Sequence, residues 1–406
     1  MTHYIAGIDV GNGYTKAEIG KDHRILLTPS TAAKRFNPGL EIPLTDEEEL
    51  AAFMKNPMNQ IDLSFQTPLV KDPVRRIFGD RALKSGESLE QFDVYAGAQS
   101  KAEVDLSGVM LLATLTAYAL KTHYESKKAL PKKLDFTVTL ATALPIGEYA
   151  KHHKAYKEKI LNNHQPHTVT IHNFQTPIPV NITFTKVHVA SEGEAAQYGM
   201  IFSNEAFLQT LAEEAKASWD GNELEDITGR DIVQSQNSLG IDIGEGTMDF
   251  AVFSNGRFNR DASSMMAQGY GNVLERALEK LQVDGYPYHS RKELAEFLAL
   301  TPGPLARARY NSVHQTVMAE AERFSDVVVN EVSKVFDRVG GFIEVMYVYG
   351  GGATPLRPSL LTKLKAKIRS FGPQQMLPIV YLSSEYSQYL NMQGVYQLAN
   401  ELDKRP

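Results

Sequence analysis

Short apolar runs followed by glycine occur twice in the sequence and predict two similar pairs of buried strands. In the later copy, Leu239, Ile241 and Ile243 alternate with glycine or aspartate, and a second apolar run begins at Phe250. The glycine-containing segment between the runs is typical of a tight turn that joins antiparallel strands. The stretch 5–16 repeats this order of residue types. We therefore predict an internal duplication with a ligand held between the two copies.

Longer patterns predict the remaining elements of an α/β chain. Residues 106–124 are apolar with helical spacing, and residues 134–140 alternate as a strand. Residues 313–339 carry an apolar residue at every third or fourth position, which predicts a long helix packed on a core. Residues 342–349 are predicted to form a buried strand, and a further helix is predicted after Pro358.

These elements predict two domains of similar α/β type. Domain I is predicted at residues 1–192, with a smaller subdomain inserted at about 30–95. Domain II is predicted at residues 193–383. Residues 384–406 are predicted to form a helical segment that returns to domain I.

Composition excludes several classes of function. The chain of 406 residues is long enough for two or more domains with substantial cores. Its net charge of -6 gives no general attraction to nucleic acid, so we expect no direct DNA binding. The absence of cysteine excludes disulfides, thiolate metal sites and a cysteine nucleophile. Since we find neither a signal segment nor an apolar run of membrane-spanning length, we expect a cytoplasmic protein without membrane contact.

The candidate chemistry lies at the two glycine turns and at one strand-to-helix junction. Asp9 and Asp242 come directly before the turns, where an acid can hold a cation or a water molecule. Glycines in such turns leave backbone N–H groups accessible to an anion. Glu192 lies where a predicted strand gives way to a helix that Ser191 can cap. Its alternative interpretation is an acid in the first helical turn that complements the helix dipole.

Two further groups of glycines are candidates for close contact with a ligand. Gly269 and Gly271 precede a predicted helix, where they could form a platform for an anion or a ribose. The third glycine of the dinucleotide fingerprint is missing there, which excludes a Rossmann site. Three consecutive glycines, Gly350, Gly351 and Gly352, follow the strand predicted at 342–349 and mark a place where the backbone comes close to another group.

Taken in chain order, these motifs resemble the superfamily of actin, seventy-kilodalton chaperones and sugar kinases. The motifs are the hairpin at 7–11, the acid Glu192, the hairpin at 240–247 and the glycine turn at 350–353. Within this superfamily the chain most resembles the plasmid-segregation actins of the bacterial ParM family. That narrower resemblance is carried by the stretches 144–149, 187–198 and 386–396. It implies an actin-like α/β fold of two similar domains around a nucleotide cleft.

The resemblance also implies a role for each candidate residue. Asp9 and Asp242 would hold Mg²⁺ mainly through its water shell, and Glu192 would position the attacking water in hydrolysis. These three residues form the implied catalytic set, and Lys16 would neutralise charge on the β-phosphate. The other implied nucleotide-binding residues are Gly11, Asn12, Gly13, Gly244, Glu245, Gly246 and Thr247 at the phosphates and Gly269, Gly271, Gly350, Gly351 and Gly352 at the nucleoside. Glu245 departs from the family pattern, which more commonly has Gly or Thr at this position, and it adds negative charge near the phosphate.

The function implied by the resemblance is that of an NTPase that uses ATP, GTP or both and polymerises into dynamic filaments. Such filaments would segregate plasmid DNA in a bacterial cytoplasm through a ParR-type DNA-binding adaptor on a plasmid centromere. A small-molecule kinase on the same fold and a non-segregating cytoskeletal actin-like protein are the alternatives. The sequence marks no sugar pocket or general base, and too few residues follow the glycine triplet for a chaperone's peptide-binding domain. Nucleotide preference, filament geometry, the adaptor's docking site and the role of the segments near 38–65 and 200–236 stay open.

Overall fold

The computed structural model describes residues 1–36, 43–92, 100–221, 224–372 and 376–405. The insertion expected at about 30–95 and the segment near 38–65 therefore lie partly outside the described residues, as does part of the segment near 200–236.

The chain divides into two compact units. Unit 1 comprises Met1–Phe202 and Tyr389–Pro406, and unit 2 comprises Ser203–Gln388. The first boundary follows the helix that begins at Glu192 instead of falling after its first residue, and the second lies a few residues after the predicted one.

Unit 1 begins with a long sheet. Its strands are β1 (Thr2–Val10), β2 (Tyr14–Ile19), β3 (Arg24–Pro29), β4 (Thr31–Arg35), β5 (Asp62–Gln66), β6 (Arg75–Phe78), β7 (Ser88–Gln91), β8 (Leu134–Leu144), β9 (His167–Ile171) and β10 (Ile178–Ser191). Its helices up to the boundary are α1 (Glu47–Lys55), α2 (Gly79–Lys84), α3 (Asp105–Lys127), α4 (Ile146–Leu161) and α5 (Glu192–Ile201), with short 3-10 helices at Pro57–Asn59 and Asn162–His164.

Within the described residues these strands form one sheet in the order β3-β2-β1-β8-β10-β9-β5-β6-β4-β7. Strands β1, β8 and β10 are parallel to one another, whereas β2 is antiparallel to β1 and β3 is antiparallel to β2. The segment that separates β3 from α3 thus adds strands to the far edge of the sheet of unit 1. Sequence patterns did not predict these strands because each is only four or five residues long, and prolines lie between β4 and β5 and between β5 and β6.

Unit 2 repeats the first half of this arrangement. Its elements are α6 (Glu205–Ala217), α7 (Gly229–Val233), β11 (Ser238–Ile243), β12 (Met248–Ser254), β13 (Arg257–Phe258), β14 (Ser264–Met266), α8 (Tyr270–Val283), α9 (Arg291–Leu298), α10 (Arg307–Arg338), β15 (Val345–Tyr349), α11 (Ala353–Phe371), β16 (Ile379–Tyr381) and α12 (Ser384–Ser387).

The sheet of unit 2 has the order β13-β12-β11-β15-β16, with β14 paired to β12. Strand β11 pairs antiparallel with β12 and parallel with β15, as β1 pairs with β2 and β8 in unit 1. The two units therefore share the strand order β3-β2-β1-β8-β10 of the first sheet. This repeat confirms the predicted fold class of two similar α/β domains.

Two boundaries predicted in unit 2 are wrong. Strand β15 begins at Val345 because Gly340 and Gly341 adopt positive φ angles of 61° and 80° in a turn, and Phe342 after them is 77% exposed. Helix α11 begins directly after the glycine triplet and contains Pro358. Pro358 is inside the second turn of α11, where it removes one backbone hydrogen bond while the helix continues to Phe371.

The C-terminal helix α13 (Leu390–Lys404) packs on β1 and α5 in unit 1. Gly394 makes this packing possible, because a Cβ atom there would overlap the carbonyl oxygen of Ala195 in α5. Gly7 in β1 is equally tight, because its Cβ would overlap the backbone of Tyr396. Helix α13 thus fixes two elements that carry candidate site residues. Across the described part of the chain, no helix is long and apolar enough to cross a membrane.

Candidate functional site

The two glycine turns have the same internal geometry. In the first, the N–H of Gly11 donates to the carbonyl oxygen of Tyr14 at 3.1 Å. In the second, the N–H of Gly244 donates to the carbonyl oxygen of Thr247 at 3.0 Å. In each turn the candidate acid, Asp9 or Asp242, lies two residues before the glycine that closes the turn. Asn12, Gly13, Glu245 and Gly246 form the remaining positions of the two turns.

The two turns differ in the residue opposite the acid. Asp9 on β1 pairs with Lys16 on β2, whereas Asp242 on β11 pairs with Asp249 on β12. Paired residues on neighbouring antiparallel strands place their side chains on the same face of the sheet. The first turn therefore joins an acid to a base, and the second joins two acids, of which Asp249 is buried. Two carboxylates on one face favour a cation beside them.

Three acids of unit 1 lie at the carboxyl ends of its parallel strands. Asp9 is near the end of β1, Glu148 is in the first turn of α4 just after β8, and Glu192 is the first residue of α5 directly after β10. The Oγ of Ser191 caps α5 by accepting from the N–H of Glu194 at 3.1 Å. Ligands in open α/β sheets bind at this edge. The strand order therefore brings together two predicted catalytic residues, Asp9 and Glu192.

A lysine that sequence reasoning missed lies between these acids. The Nζ of Lys101 is 3.2 Å from the Oε1 of Glu192, and Lys101 is only 8% exposed. Burial acts to lower the pKa of Lys101, but the carboxylates of Glu192, Asp9 and Glu148 raise it above its ordinary value. Lys101 therefore carries a buried positive charge. No motif marked it, because its partner is 91 positions away in the sequence.

The buried carboxyl of Asp9 is the electrostatic counterpart of this lysine. Asp9 is 5% exposed, and burial raises its pKa. Lys16 and Lys101 oppose this rise, whereas Glu192 adds to it. The balance means that ionised Asp9 lacks full compensation in its surroundings. A bound cation would supply it.

The acids fit the way in which magnesium is held in nucleotide sites. Mg²⁺ retains several of its waters and needs only one or two carboxylates besides the substrate's phosphates. Asp9 and Asp242 offer such oxygen ligands, each next to a turn of the expected type. The described residues contain no group of three or more His, Cys, Asp or Glu side chains placed to hold a metal ion.

The N-terminus of α8 does not form the expected anion platform. The N–H of Tyr270 donates to the carbonyl oxygen of Gly244 at 2.9 Å, and that of Gly271 donates to the carbonyl oxygen of Glu245 at 2.8 Å. The N–H of Gly269 donates to the side chain of Asn272 at 2.8 Å. These donors are therefore engaged within the protein, and that part of the prediction is wrong. The bonds instead attach α8 to the second turn.

Gly269 and Gly271 are needed for this attachment. A Cβ atom on Gly269 would lie 2.5 Å from the carbonyl oxygen of Gly244. A Cβ atom on Gly271 would lie 2.7 Å from the carbonyl oxygen of Glu245. Both distances are far shorter than van der Waals contact, so only glycine fits. Whether these two residues also contact a nucleoside stays a prediction.

The side chain of Glu245 forms an ion pair with Arg291, a second residue that the sequence did not mark. The Oε1 of Glu245 is 3.0 Å from the Nη1 of Arg291, and the Nε of Arg291 is 3.3 Å from the Oε2 of Glu275 in α8. Arg291 thus joins the second turn to α8 and compensates the acid that departs from the family pattern.

The glycine triplet packs against the end of β11. Gly350 has a φ of 96°, and a Cβ atom there would overlap the carboxylate of Asp242. The N–H of Gly352 donates to the carbonyl oxygen of Ile243 at 2.8 Å, and a Cβ on Gly352 would be 2.6 Å from the Cβ of Tyr270. Gly351 alone is exposed with open space around it. The sequence indicated that the backbone of the glycine triplet comes close to another group. That group is β11, the strand that carries Asp242.

Two family models match the sequence. Residues 7–194 match the N-terminal domain of actin-like proteins, and residues 240–362 match the C-terminal domain of archaeal actin homologues of the MreB type. Together they cover more than half of the chain, and each match contains one of the two glycine turns. The chain is an actin-like protein. The matches confirm the resemblance that the four motifs carried, and this actin-like chain has the fold of an actin-like ATPase.

Solved structures extend the fold likeness over the whole length of this actin-like chain. Alp7A is 13% identical with a TM-score of 0.65, covering 98% of this chain and 96% of its own. The archaeal actin homologue Ta0583 is 16% identical with a TM-score of 0.60, covering 98% and 99%. The psk41 ParM protein is 14% identical with a TM-score of 0.53, covering 99% and 98%. At these identities the likeness shows the fold alone. No curated protein matches the sequence.

Proposed function

We propose that this actin-like protein binds and hydrolyses ATP, GTP or both in the presence of Mg²⁺. The observation that carries the proposal is the placement of Glu192, which lies at the carboxyl edge of the sheet in unit 1 near the buried Asp9. Two further findings support it. Each unit contains a turn of the same geometry with an acid before it. Proteins of the same fold have been solved with nucleotide, namely Ta0583 in complex with ADP and a ParM of Bacillus thuringiensis with ATP.

The proposed roles follow from the chemistry of each side chain. Glu192 orients and polarises the attacking water, which a carboxylate can do by accepting a hydrogen bond from it. Asp9 and Asp242 would hold Mg²⁺ mainly through its water molecules, and the bound ion would supply positive charge beside the phosphates. Lys16, opposite Asp9, compensates charge on the β-phosphate. The phosphates are bound by the turn residues Gly11, Asn12, Gly13, Gly244, Glu245, Gly246 and Thr247, and the nucleoside by Gly269, Gly271, Gly350, Gly351 and Gly352.

We further propose that nucleotide binding drives polymerisation and that hydrolysis weakens the filament. A nucleotide that binds one conformation better than another shifts the population toward it, which couples its hydrolysis to assembly. The support is the fold likeness to ParM proteins, one of which was solved as the non-polymerisable quadruple mutant of pCBH ParM. The proposed biological role is plasmid segregation in a bacterial cytoplasm, with DNA reached through a ParR-type adaptor. The net charge of -6 agrees with indirect contact to DNA.

Phosphate release from ATP and from GTP tests the proposed hydrolysis. We expect release that requires Mg²⁺ and is abolished by a chelator. Glu194→Ala is the matched control, because Glu194 lies in the same helical turn as Glu192 but its carboxylate lies toward His188, 3.8 Å away. Release by this control at the wild-type rate, together with a slow Glu192→Ala variant, supports the assignment. A wild-type protein that releases no phosphate from either nucleotide contradicts it.

A plasmid-retention assay tests the proposed role in segregation. An unstable plasmid that carries the gene with its flanking DNA is expected to be lost more often when Glu192 is replaced by Ala. Equal loss with the wild-type and the variant gene would contradict segregation without contradicting hydrolysis.

A further inference from the structure

The stretch 144–149 contributed to the family resemblance but has no part in the chemistry proposed above. Its acid, Glu148, lies in the first turn of α4. The Oε2 of Glu148 accepts from the Oγ of Ser100 at 2.6 Å and from the backbone N–H of Lys101 at 2.7 Å. The Oγ of Ser100 also accepts from the N–H of Ala102 at 3.1 Å. One carboxylate therefore fixes the backbone of residues 100–102 to α4.

The segment that Glu148 fixes carries the lysine next to the proposed catalytic acid. The ammonium of Lys101 is 3.2 Å from the Oε1 of Glu192, and the side chains of both residues are largely shielded from water. An ion pair in such surroundings is stronger than one at the surface, and loss of one partner leaves an uncompensated charge. Three contacts thus run from α4 through the segment before α3 to the start of α5.

We propose that Glu148 and Lys101 are positioning residues for hydrolysis, with Glu148 holding Lys101 and Lys101 holding the carboxylate of Glu192. The inference rests on the proposed function, because it assigns these residues to the reaction of Glu192. Lys101 contacts one carboxylate oxygen and so fixes the orientation of the group before a nucleotide binds. Such preorganisation lowers the barrier because the carboxylate does not have to be ordered during the reaction.

Lys101 also compensates negative charge in this arrangement. The carboxylates of Asp9 and Glu192 lie near each other, and a polyphosphate would bring further negative charge to them. The buried ammonium of Lys101 offsets that charge.

The substitution Glu148→Gln tests the chain of contacts at its outer end, since it keeps the size of the side chain and removes its charge. We expect kcat to fall by roughly ten- to a hundredfold, as for a misplaced catalytic group. The affinity for a fluorescent nucleotide should change by less than about threefold, because the variant retains the groups that bind nucleotide. Glu158→Gln is the matched control, because Glu158 is exposed on the same helix. An unchanged kcat in Glu148→Gln overturns the proposal.

A double-mutant cycle separates positioning from a purely structural role. If Glu148 acts through Glu192, the substitution Glu148→Gln changes kcat by less than about twofold once Glu192 is already Gln. The same fold loss in both backgrounds overturns the proposal.

Thermal unfolding of the same variants gives a readout that does not need activity. Lys101→Met should lower Tm in the wild type and by less in Glu192→Gln, because the second protein no longer leaves a buried carboxylate unpaired. Equal Tm shifts in both backgrounds overturn the inference whether or not the protein hydrolyses nucleotide. If the Tm shift of Lys101→Met depends on Glu192 but the protein hydrolyses no nucleotide, the contact between Lys101 and Glu192 is supported. In that case it is the proposed function, hydrolysis, that fails.

Discussion

At the scale of single residues, the proposed chemistry depends most on Glu192. Its position at the start of α5 follows from the preceding strand and from the cap at Ser191, both of which the sequence predicts. Its buried partner Lys101 was not predictable, because a polar lysine ahead of a helix is usually solvated. The tertiary contacts of the segment before α3, including those with Glu148, bring the two residues together.

Replacement of Glu192 by Ala should slow hydrolysis and leave nucleotide binding intact. Loss of a group that orients or activates water costs about a hundredfold to ten-thousandfold in rate. Phosphate release and titration with a fluorescent nucleotide measure the two effects separately. Filaments of the variant should also persist longer. Turnover at the wild-type rate would remove Glu192 from the catalytic role.

Replacement of Asp242 by Ala should remove the magnesium-dependent step. Asp242 lies before the second turn, and a Cβ atom on Gly350 would overlap its carboxylate. Phosphate release measured against Mg²⁺ concentration checks this, with Asp284→Ala, an exposed acid after α8, as the control. Normal release by Asp242→Ala at all concentrations would contradict the assignment.

At the scale of elements, the crossing of α5 and α13 connects packing to the site. Gly394 leaves no room for a methyl group against Ala195, and a Cβ on Gly199 would lie 2.5 Å from the carbonyl oxygen of Leu390. Helix α5 begins at Glu192, so any shift of this crossing moves the acid. Tight helix packing of this kind depends on both glycines.

The substitution Gly394→Ala should therefore reduce both stability and activity. Overpacking of a closed contact costs about 1–3 kcal/mol in the free energy of unfolding, and the displaced helix should lower kcat. Thermal unfolding and phosphate release measure the two effects. Gly303→Ala serves as the control, because nothing lies within 4 Å of a Cβ at that position. A Gly394→Ala variant as stable and as active as the control would contradict the prediction, because the crossing of α5 and α13 would then have room for the added methyl group.

His167 in β9 makes the stability of the fold depend on pH. Burial lowers the pKa of His167, which the hydrogen bond to the carbonyl oxygen of Ile160 opposes. Its pKa in the fold is below the ordinary 6.5, so the fold favours the neutral ring. The stability this contributes is complete above pH 6.5 and is lost as pH falls toward the lowered pKa.

His167→Gln should accordingly make stability less sensitive to acid. The wild type is expected to lose more Tm than this variant between about pH 7.5 and about pH 5. His289→Gln, at an exposed residue of unit 2, is the control and should behave as the wild type. Equal losses of Tm in wild type and His167→Gln would contradict a role for His167 in acid sensitivity.

The elements also show where sequence patterns suffice. The hairpin strands were predictable from alternating apolar residues, and α3 and α10 from apolar residues with helical spacing, since each signal is local. The hydrogen bonds between α8 and the second turn were not predictable. They join backbone N–H and carbonyl groups, which the residue type does not distinguish. Arg291 was missed for a related reason, since its two acidic partners lie on separate elements.

At the scale of the whole molecule, the repeated strand order accounts for the repeated motif. Each unit places an antiparallel hairpin beside a parallel strand, and the acid ends the hairpin's first strand. The sequence predicted this duplication from a few residues around each turn. The extension of the first sheet by β9, β5, β6, β4 and β7 has no counterpart in unit 2 among the described residues, and no sequence pattern predicted its outer strands β5, β6, β4 and β7.

High-speed sedimentation of the purified protein tests the central claim, nucleotide-dependent polymerisation, most directly. The protein is incubated with Mg²⁺ and either ATP or GTP, and the pelleted fraction is compared with that of a nucleotide-free sample. We predict a pellet that forms only with nucleotide and that persists longer for Glu192→Ala than for the wild type. A wild-type protein that remains in the supernatant with both nucleotides at every concentration tested would contradict the account.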